Sequence, residues 1–376
     1  MTRARASLIS LNDTPWYHLV NRCVRRAYLC GLDKDTGKDL SHRKEWIEAR
    51  IRQLGSVFAI DVAAYAVMSN HYHVVVRVDR ERAEGWSTRE VLDIWCQLFK
   101  GPLLVQEYLA GKALSPAQLA AVDTLAALYR TRLHDISWFM RVLNESIARM
   151  ANAEDGVTGR FWEGRFKSQA LLDEQAILTV MSYVDLNPIR AGIAETPEAS
   201  EHTSIQARLT QRDGVQAPPE SLASGDRQGS AGMVENEMMQ ATAAIDALPM
   251  AALLPFDPQH AQPRAVPFAY VDYIEWLDYI GRAIHPHKRG AIPAELPKIA
   301  VRLNIDARSF AAQSQGLLAQ FGQAVGIAKH LKAHGASHRL RHLHGMREAR
   351  QLFGVVNNRK QATFSLGTNP ALTATV

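Results

Sequence analysis

The sequence predicts an α+β fold, an antiparallel sheet with helices packed on it. Short runs rich in aromatic and β-branched residues alternate with longer amphipathic runs of helical period. Their order, strand–helix–strand–strand–helix–strand with one further helix, is that of a ferredoxin-like (split βαβ) unit. Nearly half of the 376 residues are hydrophobic, enough for a sizeable core and for two or three domains.

The first strand is "WYHLVNRCV", Trp16–Val24, followed by a basic, turn-rich connection. "SHRKEWIEARIRQLG" reads as a helix, with Ser41 as N-cap, Glu45 in its first turns and Gly55 just past its last turn. "VFAIDVAAYAVMS" and "HYHVVVRV" are two more strands, joined tightly through "SNH". Helices follow in "STREVLDIWCQLFKG" and "SWFMRVLNESIARMANAE", with a helical insertion between them at about 102–136. "GRFWEGRFKSQALLDE" is a basic loop entering a fourth strand, and "EQAILTVMSYVDL" is the last helix of the unit. The chain thus divides into a domain at 1–210, a Pro/Gly/Ser-rich flexible linker at 211–267, a helical basic region at 268–354 and a tail at 355–376.

A net charge of +5 favours a polyanionic partner. Cys23, Cys30 and Cys96 lack the spacing of a disulfide framework or a cysteine zinc site, which fits a reducing cytoplasm. The N-terminus lacks a secretory apolar core, and no run is long enough to predict a membrane span.

"VMSNHYHVVVRV" poses the chemical question. Strand alternation puts His71, His73, Val75 and Arg77 on one face and Tyr72, Val74, Val76 and Val78 on an apolar one. Two imidazoles on one face can converge on a divalent ion, or can be two half-buried strand histidines bonded to neighbours. In "ILTVMSYVDLNPIRAG", Tyr183 falls at the edge of an apolar helical stripe, and Asn187 lies one turn on. A tyrosine becomes a useful nucleophile beside a cation that polarises its substrate. Equally, Tyr183 can be an amphipathic edge residue, and Asn187, which precedes Pro188, a helix-ending residue or the cap of a short turn.

Together "MSNHYHVVV", "GRFWEGRFKS" and "SYVDLNPIRAG" resemble the single-tyrosine HUH transposases, in particular the REP-associated tyrosine transposases related to small bacterial insertion-sequence transposases. The resemblance spans about residues 14–210 and includes "WYHLVNRCVRR". It implies a metal-dependent endonuclease and strand transferase acting on single-stranded DNA, specifically REP-like hairpin palindromes. His71 and His73 would be metal ligands for Mg²⁺ or Mn²⁺, Asn187 the third ligand, and Tyr183 the nucleophile that forms a 5′-phosphotyrosine. Asp185 departs from the family pattern, where a histidine or similar residue is common. The expected DNA contacts are Arg22, Arg25, Arg26, Arg77, Arg160, Arg165, Lys167 and Arg190, with Trp162 and Phe161 as stacking platforms. The stretch Lys329–Arg350 is a second basic candidate. Such a protein would be cytoplasmic and nucleoid-associated, a monomer or homodimer, without a membrane partner. Two alternatives from other classes are a hairpin-binding protein that no longer cuts and a small-phosphoester hydrolase, which would have no use for the tyrosine.

Overall fold

The computed structural model describes residues 8–24, 30–31, 37–212, 245–284, 297–314 and 316–354. Among these, five strands form one sheet: β1 (Trp16–Arg22), β2 (Ile60–Val67), β3 (His71–Val78), β4 (Lys167–Leu171) and β5 (Ala324–Val325), in the order β2-β3-β1-β4-β5. The pairs β2–β3, β3–β1 and β1–β4 are antiparallel, and β5 lies parallel to β4. β2 and β3 form the expected hairpin, closed where Met68 N–H donates to the His71 carbonyl at 2.8 Å.

Helices α1 (Arg43–Val57), α2 (Arg80–Gly85), α3 (Thr88–Trp95), α4 (Leu103–Leu109), α5 (Pro116–Leu133) and α6 (Ile136–Asp155) occupy the stretch before β4. Sequence chemistry sets several of their ends. Ser87 and Glu90 form a capping box on α3, Ser115 and Gln118 another on α5, and Gly156 closes α6 in the left-handed conformation. α1 and α6 pack together on the face bearing Tyr72, whose hydroxyl donates to Asn144 Oδ1 of α6 at 2.6 Å. The fully buried Arg43 ties the pair by meeting Glu154 at 2.6 Å and Asp155 at 2.5 Å.

Two expectations about α1 do not hold. Its N-cap is His42, without a side-chain bond, in place of Ser41. Gly55 lies inside the helix and does not end it; a Cβ there would sit 3.3 Å from the Ala251 side chain. Its smallness admits a neighbouring segment.

That segment corrects the expected linker. Residues 213–244, which carry most of the Pro/Gly/Ser signal, lie outside the described residues. The remainder, 245–267, packs on the first domain: Ile245, Leu253, Leu254 and Val266 are buried, and Leu254 N–H donates to the Val62 carbonyl at 2.9 Å. Apolar side chains there overrode the composition.

After β4 come α7 (Glu174–Asp185), α8 (Asn187–Arg190) and α9 (Ser204–Arg212), then α10 (Tyr270–Ile284), α11 (Lys298–Arg302), α12 (Ala307–Gln313), α13 (Leu317–Phe321), α14 (Ala328–Ser337) and α15 (Met346–Phe353). α7 lies across β2, β3 and β4. The C-terminal helices join the same body, since β5 extends the sheet and α10 packs on α8 and hydrogen-bonds to α7. There the buried Asp185 accepts from the hydroxyls of Tyr273 and Ser204, both at 2.5 Å, and from Ile205 N–H at 3.0 Å. Trp276 Nε1 donates to Ser182 Oγ at 2.8 Å. No described helix is long and apolar enough to cross a membrane.

Candidate active site

β3 places His71 and His73 on one face, and the antiparallel register sets Val20 opposite His73 and His18 opposite Val75. Directly opposed residues share a face, so His18 joins the pair. Its ring stacks on His73 with centroids 5.1 Å apart, and His71 meets His73 edge-on at 4.9 Å. On the other side of His18, β4 brings Gln169 directly opposite.

This arrangement defines the tautomers. Gln169 Nε2 donates to the carbonyls of Leu318 and Gly322, both at 2.7 Å, which leaves Oε1 facing His18 Nδ1 at 3.0 Å. An amide oxygen only accepts, so His18 carries its proton on Nδ1 and a lone pair on Nε2. That lone pair accepts from His73 Nδ1 at 2.9 Å. The lone pair of His73 is therefore on Nε2, a buried atom with no hydrogen-bond partner among the described residues. His71 is held the same way, its Nδ1 donating to Asn70 Oδ1 at 2.7 Å. Both imidazoles keep Nε2 as a donor of electrons, the form in which a histidine binds metal with its other nitrogen oriented by a second partner.

Burial keeps the cluster neutral. It pushes His18 and His71 down to about 4, with repulsion from His71 added for His18 and from Arg22 and Arg190 for His71. His73 falls well below the ordinary value for the same reason, reinforced by the neighbouring histidines and Arg190.

α7 and α8 close the site from above. The Tyr183 ring meets His73 edge-on with centroids 5.9 Å apart. The Arg190 guanidinium lies 3.7 Å over the Tyr183 ring and donates to Asn187 Oδ1 at 2.6 Å. Burial lowers the Arg190 guanidinium from its usual value, and its contact with the Tyr183 hydroxyl works against that. Asn187 Nδ2 is buried and has no hydrogen-bond partner among the described residues. Asn187 opens α8 ahead of Pro188, close to the turn its sequence suggests, and its amide oxygen faces Arg190.

Two adjoining cavities of about 520 and 760 Å³ share Val20, His73, Arg165, Lys167 and Tyr183. Arg22 and His71 border the smaller, His18 and Gln169 the larger. Arg22, Arg165 and Lys167 are exposed at this mouth.

Other expected contacts lie elsewhere. Arg77 is at the far end of β3, 3.8 Å from Asp61 and 3.7 Å from Asp79, where carboxylates neutralise it. Trp162 packs edge-on against Tyr72, on the sheet face opposite the histidines, and its Nε1 donates to the Asn144 carbonyl at 2.7 Å. Phe161 is buried, so neither ring is an open stacking platform. The Arg160 guanidinium donates to the carbonyls of Trp162 and Glu163, bracing its own loop. Arg25 and Arg26 lie outside the described residues. Sequence reasoning missed His18 and Gln169; the one signal was an imidazole between Tyr17 and Leu19 in a strand.

No family model matches the chain, and no curated protein matches it. A solved structure of a REP-associated tyrosine transposase bound to a REP hairpin is similar over 61% of this chain and 100% of that one, at 12% identity and a TM-score of 0.33.

Proposed function

We propose that the chain is a metal-dependent single-stranded DNA nicking and joining enzyme of the HUH single-tyrosine type, acting on REP-like hairpins. The observation that carries this is the juxtaposition of Tyr183 with His73, whose Nε2 lone pair is buried and, among the described residues, unpartnered. The motif resemblance and the exposed Arg22, Arg165 and Lys167 support DNA as the substrate. The β2-β3-β1-β4 order with antiparallel neighbours supports a ferredoxin-like sheet beneath the site.

His71 and His73 would hold Mg²⁺ or Mn²⁺ through Nε2. The ion would polarise the scissile phosphate. Asn187 would complete the set by exchanging its contact with Arg190 for one to the ion. Tyr183 Oη gives up its proton to solvent and attacks phosphorus, forming the tyrosyl O–P bond as the P–O3′ bond breaks, and the departing oxygen takes a proton from solvent to become a 3′-hydroxyl. Arg190, beside the phenol, is placed to stabilise negative charge developing on Oη. The phosphotyrosine keeps the bond energy for rejoining.

The test is incubation with Mn²⁺ and hairpin DNA carrying single-stranded flanks, followed by denaturing electrophoresis. A covalent protein–DNA adduct is expected, and Tyr183→Phe should lose it while still binding the hairpin. An undiminished adduct in Tyr183→Phe would remove Tyr183 from the reaction. A second reading, hairpin binding without cutting, is favoured by one contact: Arg190 engages both Tyr183 and the Asn187 oxygen. Hairpin binding with no adduct under any divalent ion would select it.

A further inference from the structure

α14 carries His330 and His334 one turn apart, and His338, one turn further, is its C-cap. His330 turns to Asp173, the N-cap of α7, at 2.8 Å. The other two turn to Asp13, in the turn that precedes β1. His338 Nε2 lies 2.5 Å from Asp13 Oδ2, and His334 Nδ1 lies 3.4 Å from the same oxygen. The two rings are 4.4 Å apart. One ligand atom from each of Asp13, His334 and His338 lies within 4.8 Å of the others. The site is partly enclosed, with side-chain exposures of 17%, 10% and 20% for Asp13, His334 and His338. His334 Nδ1 is buried and out of hydrogen-bond alignment with the carboxylate.

We propose that Asp13, His334 and His338 form a second divalent-cation site, of zinc type, that staples the start of the chain to α14. Two imidazoles and a carboxylate are a borderline-soft donor set that suits Zn²⁺ over Mg²⁺ or Ca²⁺. Tetrahedral ligation with bonds near 2.0–2.1 Å puts ligand atoms roughly 3.3 Å apart. The His334–Asp13 pair already has that spacing, and His338 needs to retreat by under about 1 Å. The fourth position opens on a cavity of about 530 Å³ bordered by His334, His338, Arg339, His342 and His344. Without an ion, the Asp13–His338 hydrogen bond holds the same elements, so the site is preformed. None of this rests on the reading of the Tyr183 site.

The probe is Zn²⁺ alone, by equilibrium dialysis and thermal melting of the full chain. In a His71→Ala/His73→Ala background one equivalent should bind and raise the melting temperature. His338→Gln, and separately Asp13→Asn, should each remove that equivalent and the shift. If the background variant does not fold, the same two substitutions in the unaltered chain should lower bound zinc by one equivalent. Co²⁺ should substitute and give the intense visible bands of tetrahedral coordination. Zinc stoichiometry unchanged by His338→Gln and Asp13→Asn would overturn the proposal, as would absence of binding in a folded background variant.

Discussion

The histidines beside Tyr183 and those beside Asp13 are held by opposite chemistry. In the first cluster every oriented imidazole ends on a neutral acceptor, Asn70 for His71 and Gln169 for the His73–His18 relay. In the second, both imidazoles face one carboxylate. Neutral acceptors leave a buried ring uncharged with its outer lone pair free. A carboxylate is itself a ligand and is also satisfied by a proton. The clusters differ in sequence span too: His71 and His73 are two residues apart, whereas Asp13 and His338 are 325 apart. They share one dependency, because Leu318 and Gly322 fix Gln169 and α14 supplies the second pair. Both need the C-terminal helices docked.

The largest expected effect separates the clusters. His71→Ala or His73→Ala should lower Mn²⁺-dependent cleavage by about three orders of magnitude, the loss of several kcal/mol of charge stabilisation. His338→Gln should leave that rate within about twofold, as distant sites do. Single-turnover cleavage assays measure both, and a parallel fall would dissolve the distinction.

Next in size is a change that should touch both at once. Asp185→Ala strands the hydroxyls of Tyr273 and Ser204 and the amide of Ile205 in the interior. The cost is on the order of 3 kcal/mol, read from the denaturation midpoint. Because Asp185 joins α7 to α10, hydrogen exchange should rise in α13 and α14 together. Protection unchanged in either helix would mean that cluster does not depend on this dock.

Gln169→Leu sharpens the contrast further. It removes the acceptor that sets the His18 tautomer and leaves His18 and His73 unoriented. Metal affinity at the Tyr183 site should fall about 10–100-fold, the usual effect of losing such a partner, with zinc binding at Asp13 unmoved. Manganese titration of cleavage reports the first and dialysis the second.

What the sequence made legible follows the same line between local and distant. β3 begins at His71 and ends at Val78, the run its composition marks, because a period of two needs only neighbours. α7 is legible for the equivalent reason. His18 and Gln169 were invisible because their meeting depends on β1 pairing with both β3 and β4, across 151 residues. Arg77 looked like a DNA contact because Asp61, on β2, and Asp79 capture it only after the sheet forms. β5 has two residues, too few for any periodicity, and exists through its pairing with β4. The departure noted at Asp185 was legible as an oddity, and its partners on α9 and α10 explain it.

The last effect is in acid, in the metal-free chain. His18 and His71 titrate near 4 when folded and near 6.5 when unfolded, so on acidification the unfolded chain takes protons that the folded chain refuses. Stability is therefore lost as pH falls from about 6.5 to about 4, and His73 adds in the same direction. Asp185 opposes them. Burial raises it to about 6, against hydrogen bonds from Ser204 and Tyr273, so its share of stability is lost as pH rises from about 4 to about 6. Three histidines outweigh one carboxyl, and the melting temperature should climb from pH 4 to 6.5. Asp185→Asn removes the opposing slope and should steepen that climb, whereas His18→Gln should flatten it. An equal pH slope in Asp185→Asn and the unaltered chain would show that Asp185 is ionised in the folded state across this range. The neutral-acceptor cluster would then account for the acid limb alone.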